Sequence, residues 1–162
     1  MARYRRFREE YGYNVLLLGH HTNCAGTADN FLLTEPSQLR QYADEVCEGL
    51  ETGMFDILAH PDVIMAGYQR YDTALCEAMR QIFAACERLD IPVEINANGH
   101  HYRRGYPCPM VWENLAPRYK LRCLVGADAH EVENLAHPSI KACERMAQAA
   151  GLRRIERLPD RT

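Results

Sequence analysis

Phe55-Asp56-Ile57-Leu58-Ala59-His60-Pro61-Asp62 is the stretch on which the fold turns. Phe55-Asp56-Ile57-Leu58 reads as a strand, and it runs directly into an imidazole and a proline. Beyond it, Leu75, Met79, Ile82, Phe83 and Cys86 keep helical spacing from about Thr73 to Leu89, with Asp72 placed to cap the start. Before it, a helix is expected from Pro36 to Leu50. Pro36 suits a first turn, the apolar stripe is Leu39, Tyr42, Ala43, Val46, Cys47 and Leu50, and Gly53 closes it. The same alternation continues outward. Tyr13 to Leu18 reads as a strand ending at Gly19, and Pro92 to Asn96 as another. A short helix is expected from Pro109 to Leu115, a strand from Leu121 to Val125, and a last helix from Glu133 to Ala150, stopped by Gly151. Leu152 to Ile155 reads as a fifth, short strand. Strands separated by helices imply βαβ units, hence an α/β chain with a parallel sheet.

The bulk properties agree with one globular domain. The chain has 162 residues, 47% hydrophobic and 25% charged, with a formal net charge of −3. Basic residues cluster only briefly, at Arg3, Arg5 and Arg6, at Arg103 and Arg104, and at Arg153 and Arg154, which argues against a nucleic-acid partner. No apolar run is long enough for a membrane span, and the N-terminal residues lack a signal peptide's apolar stretch, so a cytoplasmic location is expected. The 7 cysteines are odd in number and none has Cys-x-x-Cys spacing, which predicts reduced, structural thiols.

Chemistry collects just past the strands. His20 and His21 follow the first, His60 the second, Asn96 and Asn98 the third, and Asp128 and His130 the fourth. A parallel sheet brings such ends to one rim, where α/β folds gather their catalytic groups. Imidazole and carboxylate suit Zn²⁺, Mn²⁺ or Fe²⁺, and such ions activate phosphoryl groups and water. Of the adjacent His20 and His21, one is expected to face the rim. His137, in Ala136-His137-Pro138, reads as an ordinary polar residue.

These segments resemble the PHP (polymerase and histidinol phosphatase) family, its histidinol-phosphatase branch most closely. Phe55 to Asp62 is similar to the segment that supplies a metal-binding His, and Gly126-Ala127-Asp128-Ala129-His130 to the closing Gly-Ser-Asp-Ala-His motif, with Ala for Ser. Leu18-Gly19-His20-His21 resembles the Gly-x-His segment, and Glu94-Ile95-Asn96, Gly99 and Tyr106-Pro107 resemble the stretch between the motifs. The resemblance implies a distorted (β/α)₇ barrel with up to three divalent ions (Mn, Fe or Zn) on its rim. It makes His21, His60, Asp128 and His130 metal ligands, gives Asp128 and His130 catalytic roles, and places Arg103 and Arg104 on the substrate phosphate. The implied reaction is hydrolysis of L-histidinol phosphate to L-histidinol and phosphate.

The family's opening His-x-His and its bridging Glu have no counterpart here. Residues 1–162 therefore read as a single partial domain, about the C-terminal four to five βα units of such a barrel. The expected partners are a small-molecule phosphate ester and either a missing N-terminal half or further copies in a homo-oligomer, with neither nucleic acid nor membrane. Two other functions fit the same residues: hydrolysis of another ester such as a nucleotide, or a non-catalytic remnant or subunit that needs a partner.

Overall fold

The structure, a computed structural model, describes residues 2–158. The side chains of Arg3 and Arg5 lie outside the described residues. Five strands form one sheet in the order β1-β2-β3-β4-β5: β1 (Leu17–Leu18), β2 (Ile57–Leu58), β3 (Val93–Asn96), β4 (Arg122–Gly126) and β5 (Arg153–Arg154). Every neighbouring pair is parallel. Strand order follows chain order without a reversal, so all strand C-termini face one rim in sequence.

Helices separate the strands as the apolar spacing requires. They are α1 (Ala2–Tyr11), α2 (Pro36–Glu51), α3 (Met65–Tyr68), α4 (Thr73–Leu89), α5 (Ala97–His101), α6 (Pro109–Asn114) and α7 (Ser139–Ala149). α4 begins as expected, with the Asp72 carboxylate accepting from Leu75 N–H at 3.1 Å. α2 and α4 each bury one stripe, and Leu39, Tyr42, Val46, Leu75, Met79, Ile82 and Phe83 share one apolar core. Cys86, Cys108, Cys123 and Cys143 are buried, and all seven cysteines are unpaired. Burial pushes the Cys86 and Cys143 thiols up to about 12. Among the described residues, no helix is long and apolar enough to cross a membrane.

The structure corrects the expected elements in three places. The last helix is not continuous from Glu133. A 3-10 turn covers Val132–Ala136, the chain extends at His137, and α7 starts at Ser139. Pro138 is the reason, since it forces the residue before it out of the helical region. Second, β1 is far shorter than Tyr13 to Leu18. Leu16 N–H donates to the Asp56 carboxylate at 2.7 Å instead of to a backbone carbonyl, so the ladder ends there. Third, β3 is followed by α5, a helix that the apolar spacing did not indicate, because Asn96 caps it by accepting from Gly99 N–H at 2.8 Å.

The sheet has two edges. β5 is exposed but charged, with Arg154 paired to Glu144 at 2.7 Å, which discourages further pairing. The β1 side is apolar and open: Val15 is 41% exposed and Leu17 48%.

Candidate functional site

The register of the sheet assembles the site. Leu18 pairs with Leu58, and Asn96 with Gly126, so the residues following them meet at the rim. His21 and His60 come together there. Their Nε2 atoms lie 3.0 Å apart and their rings stack at 4.9 Å. His20 turns the other way and binds Glu45 at 2.7 Å beneath Tyr42. His21 is therefore the rim residue of the two. Phe31 and Tyr106 flank the imidazole pair, at 5.3 Å from His21 and 6.0 Å from His60.

His60 is buried, and its backbone N–H donates to Glu94 Oε2 at 3.1 Å. Burial, and then the neighbouring His21, push its pKa down to about 4, so it is a neutral base at ordinary pH. Glu94 is itself buried, and that burial raises its carboxyl. The same Oε2 accepts from Asn96 Nδ2 at 3.2 Å, and Asn96 Nδ2 also donates to Asp128 Oδ2 at 3.2 Å. Asn98 Nδ2 donates to that Asp128 oxygen at 3.2 Å as well. A chain of hydrogen bonds thus runs from His60 through Glu94 and Asn96 to Asp128. His130 lies within it: its Nδ1 is 2.9 Å from the Asp128 carbonyl and 3.4 Å from Asn98 Nδ2. The shorter contact makes Nδ1–H the donor, which leaves a lone pair on Nε2.

The backbone is strained at the same residues. Among the described residues, five non-glycine residues have positive φ. Gln69 and Asp90 merely end α3 and α4. The others are His60 at 27°, Arg103 at 52° and Asp128 at 45°. Strain of this kind persists where surrounding contacts impose it, and it concentrates at functional sites.

Two imidazole Nε2 atoms at this separation fit one divalent ion, because ligands about 2.0–2.1 Å from a common metal lie roughly 3 Å apart. Asp128 and His130 are exposed beside them and supply oxygen and nitrogen donors. A complete set is not assembled, however: among the described residues no group of three or more His, Cys, Asp or Glu side chains converges on one point. His60 Nδ1, which a metal-bound histidine normally uses to donate to an outer acceptor, is buried without a partner.

Arg103 and Arg104 are both exposed on the turn after α5. Arg104 reaches back over Tyr102, at 5.2 Å, with its guanidinium toward Tyr106, where its charge offsets part of the burial that raises the Tyr106 hydroxyl. Arg103 holds only its backbone fixed, with its N–H donating to the His100 carbonyl at 3.2 Å.

The sequence puts Asn96 and Asn98 at the rim and Glu94 and Asp62 in the motif segments, but it assigns none of the four a task. Asp62 Oδ2 accepts from Cys108 N–H at 2.7 Å and from Trp112 Nε1 at 3.0 Å, which ties the His60 segment to the far side of the arginine turn. Its Oδ1 is buried without a partner, and burial pushes its pKa up to about 6. A raised carboxyl contributes stability that is complete below its unfolded value of 3.8 and lost as pH rises through about 6. Asp62→Asn keeps an acceptor and removes the proton equilibrium. Relative to Asp62→Asn, the natural chain is expected to lose on the order of 2–3 kcal/mol between about pH 4 and about pH 7. Urea midpoints across that range measure it, and parallel curves for the two proteins would contradict it.

Comparison with protein-family models, with curated proteins and with solved structures finds no match to this chain.

Proposed function

We propose that this chain carries part of the active site of a metal-dependent phosphomonoesterase, acting on L-histidinol phosphate and releasing L-histidinol and phosphate. The observation that carries the reading is the His21–His60 pair, Nε2 to Nε2 at 3.0 Å, on the rim where Asp128 and His130 also end their strand. His21 and His60 would hold one divalent ion, with Asp128 and His130 available to it or to a second. Bound there, such an ion supplies Lewis acidity toward a phosphoryl oxygen and toward water. Asn96 and Asn98 aim the Asp128 carboxylate by donating to one of its oxygens. His130 Nε2 has one lone pair, which serves either a metal ion or, where no ion uses it, a proton at the rim. Arg103 and Arg104 present guanidinium groups to the phosphate dianion through forked hydrogen bonds.

The sequential all-parallel order is compatible with an arc of a barrel. We read the open β1 edge, with Val15 and Leu17 exposed, as the place where further strands pair, from the rest of the protein or from another copy. Those strands would bring the remaining ligands.

The test is phosphate release with Mn²⁺, from L-histidinol phosphate and from a panel of esters that includes nucleoside monophosphates. L-Histidinol phosphate is expected to be the preferred substrate, and Arg103→Ala with Arg104→Ala to raise its KM by roughly tenfold or more. Equal turnover of every ester would point to another substrate. A non-catalytic subunit is the second reading, favoured by the absence of a three-residue ligand cluster among the described residues. Titration with Mn²⁺ separates the two, since stoichiometric binding is expected of the enzyme and none of a remnant.

A further inference from the structure

The two rings of the candidate metal pair belong to a circuit of four. Between centroids, Phe31 lies 5.3 Å from His21, His21 4.9 Å from His60, His60 6.0 Å from Tyr106, and Tyr106 6.1 Å from Phe31. Each separation falls where rings attract beyond the area they bury. The four are not equally held. His60 and Tyr106 are buried, and Tyr106 is wedged against Gly99, where a Cβ would come within 2.4 Å of its ring. His21 is exposed and stands just past a strand of 2 residues. Of the pair, it is the imidazole with rotamer freedom to lose.

Phe31 is fixed to the same piece of chain as His21. The chain leaves the His21 segment after Thr22 and returns to it, since Thr22 and Asp29 form an antiparallel bridge. Asn30 N–H donates to the His21 carbonyl at 2.8 Å, and Asn30 Nδ2 to the His20 carbonyl at 2.9 Å. Asn30 is buried, which strengthens both bonds. Asp29 then caps the 3-10 turn Asn30–Leu32 by accepting from Phe31 N–H at 2.8 Å. On its far side the turn leads to Leu33, which lies so close to α3 that a Cβ at Gly67 would be 2.7 Å from the Leu33 carbonyl oxygen. The turn is therefore tied at one end to the backbone of His21 and at the other to the helix that follows His60. Its ring meets the His21 ring at 35°, while His60 meets it at 25°, so two flat neighbours bear on His21 at once.

The geometry points to Phe31 as the positioning residue of the imidazole pair: it holds the exposed His21 ring against buried His60, so that the two Nε2 atoms face each other at 3.0 Å before any ion arrives. Phe31 itself has no donor to offer a metal and acts through His21. Without the ring, His21 regains its rotamers, and an ion has to gather it at the moment of binding, which weakens affinity. The consequence for affinity rests on the metal reading of the pair. The arrangement of the rings does not, because it is present in the chain alone.

Two variants separate the ring from its bulk. Phe31→Leu keeps an apolar side chain and removes the flat face, whereas Phe31→Tyr keeps the face. Nuclear Overhauser contacts between the ring protons of His21 and His60 are read first, on the chain without metal. They are expected in the natural chain and in Phe31→Tyr, and are expected to vanish in Phe31→Leu. Calorimetric titration with Zn²⁺ follows. Phe31→Leu is expected to bind about tenfold more weakly, the loss typical of a partner one step removed from the ion, and Phe31→Tyr to bind like the natural chain. A role in packing alone would lower the stability of Phe31→Leu and leave the ring contacts in place. Ring contacts that persist in Phe31→Leu, unchanged affinity in that variant, or equal losses in both variants would each overturn the assignment. A natural chain that shows the ring contacts and binds no Zn²⁺ would overturn the metal reading instead, and the contacts in Phe31→Leu would then decide the role of Phe31.

Discussion

His60→Ala is expected to lower the affinity for Mn²⁺ or Zn²⁺ by about 100-fold or more, since removing even an outer-shell partner costs 10–100-fold and His60 is assigned as a direct ligand. The physical argument is local. His60 Nε2 faces His21 Nε2 at 3.0 Å, and burial keeps the ring neutral down to about pH 4, so its lone pair is available without displacing a proton. His60 is also aimed by more than its own rotamer: its φ of 27° is held by the bond from its N–H to Glu94. Alanine removes the ring and leaves His21, which is exposed, as a lone imidazole. The informative control is His20→Ala. His20 is the sequence neighbour of His21 but is bound to Glu45, so its loss is expected to leave metal affinity unchanged even where stability falls. Calorimetric titration of both variants decides the assignment. Native affinity in His60→Ala would remove His60 from the site, and equal losses in both would indicate damage to the fold instead.

That control illustrates how far the sequence could be read. The strands and the two long helices were legible because apolar spacing is a local property: Thr73 to Leu89 is the helix observed, and Asp72 is its cap. The rim location of His21, His60, Asp128 and His130 was legible for a similar reason, since the end of a strand follows from its apolar run. The partners of those residues were not. Glu94 sits in the middle of β3 and reads as an ordinary strand residue, yet all of β3 is buried and its carboxylate turns to the His60 backbone. Only the register that sets Asn96 beside Gly126 brings Asn96 and Asn98 to Asp128, and register is a non-local property. Asp62 is the same case, as its partners Cys108 and Trp112 are far along the chain. The break before α7 is legible from Pro138, because the residue before a proline is driven out of the helical region. His137, read as an ordinary polar residue, meets the His101 ring only through the approach of α5.

Gly126→Ala is expected to be strongly damaging to the fold beside the site. Gly126 closes β4 beside Asn96, and a Cβ there would lie 1.8 Å from Glu94 Oε1 and 2.7 Å from Glu94 Cδ. A flexible, exposed side chain would swing away from such a contact. Glu94 cannot do so freely, because it is buried and its other oxygen is pinned by the His60 N–H and by Asn96. Either β4 withdraws from β3, or Glu94 gives up both bonds and leaves the His60 N–H and one Asn96 proton unsatisfied in the interior. Overpacking and orphaned buried donors are both among the mechanisms that give large losses, so a destabilisation of about 3 kcal/mol or more is expected. Urea unfolding measures it. Glu94→Ala with Gly126→Ala provides the distinguishing test: the double variant removes the clash but not the orphaned donors. Recovery of part of the lost stability in the double variant, with metal affinity still impaired, is the expected result. It would show that the glycine is required by the approach of the two strands, and that the carboxylate it accommodates is what holds His60 in its strained conformation. A Gly126→Ala chain as stable as the natural one would mean that β3 and β4 have slack at this point, and the hydrogen-bond chain from His60 to Asp128 would then lose its claim to rigidity.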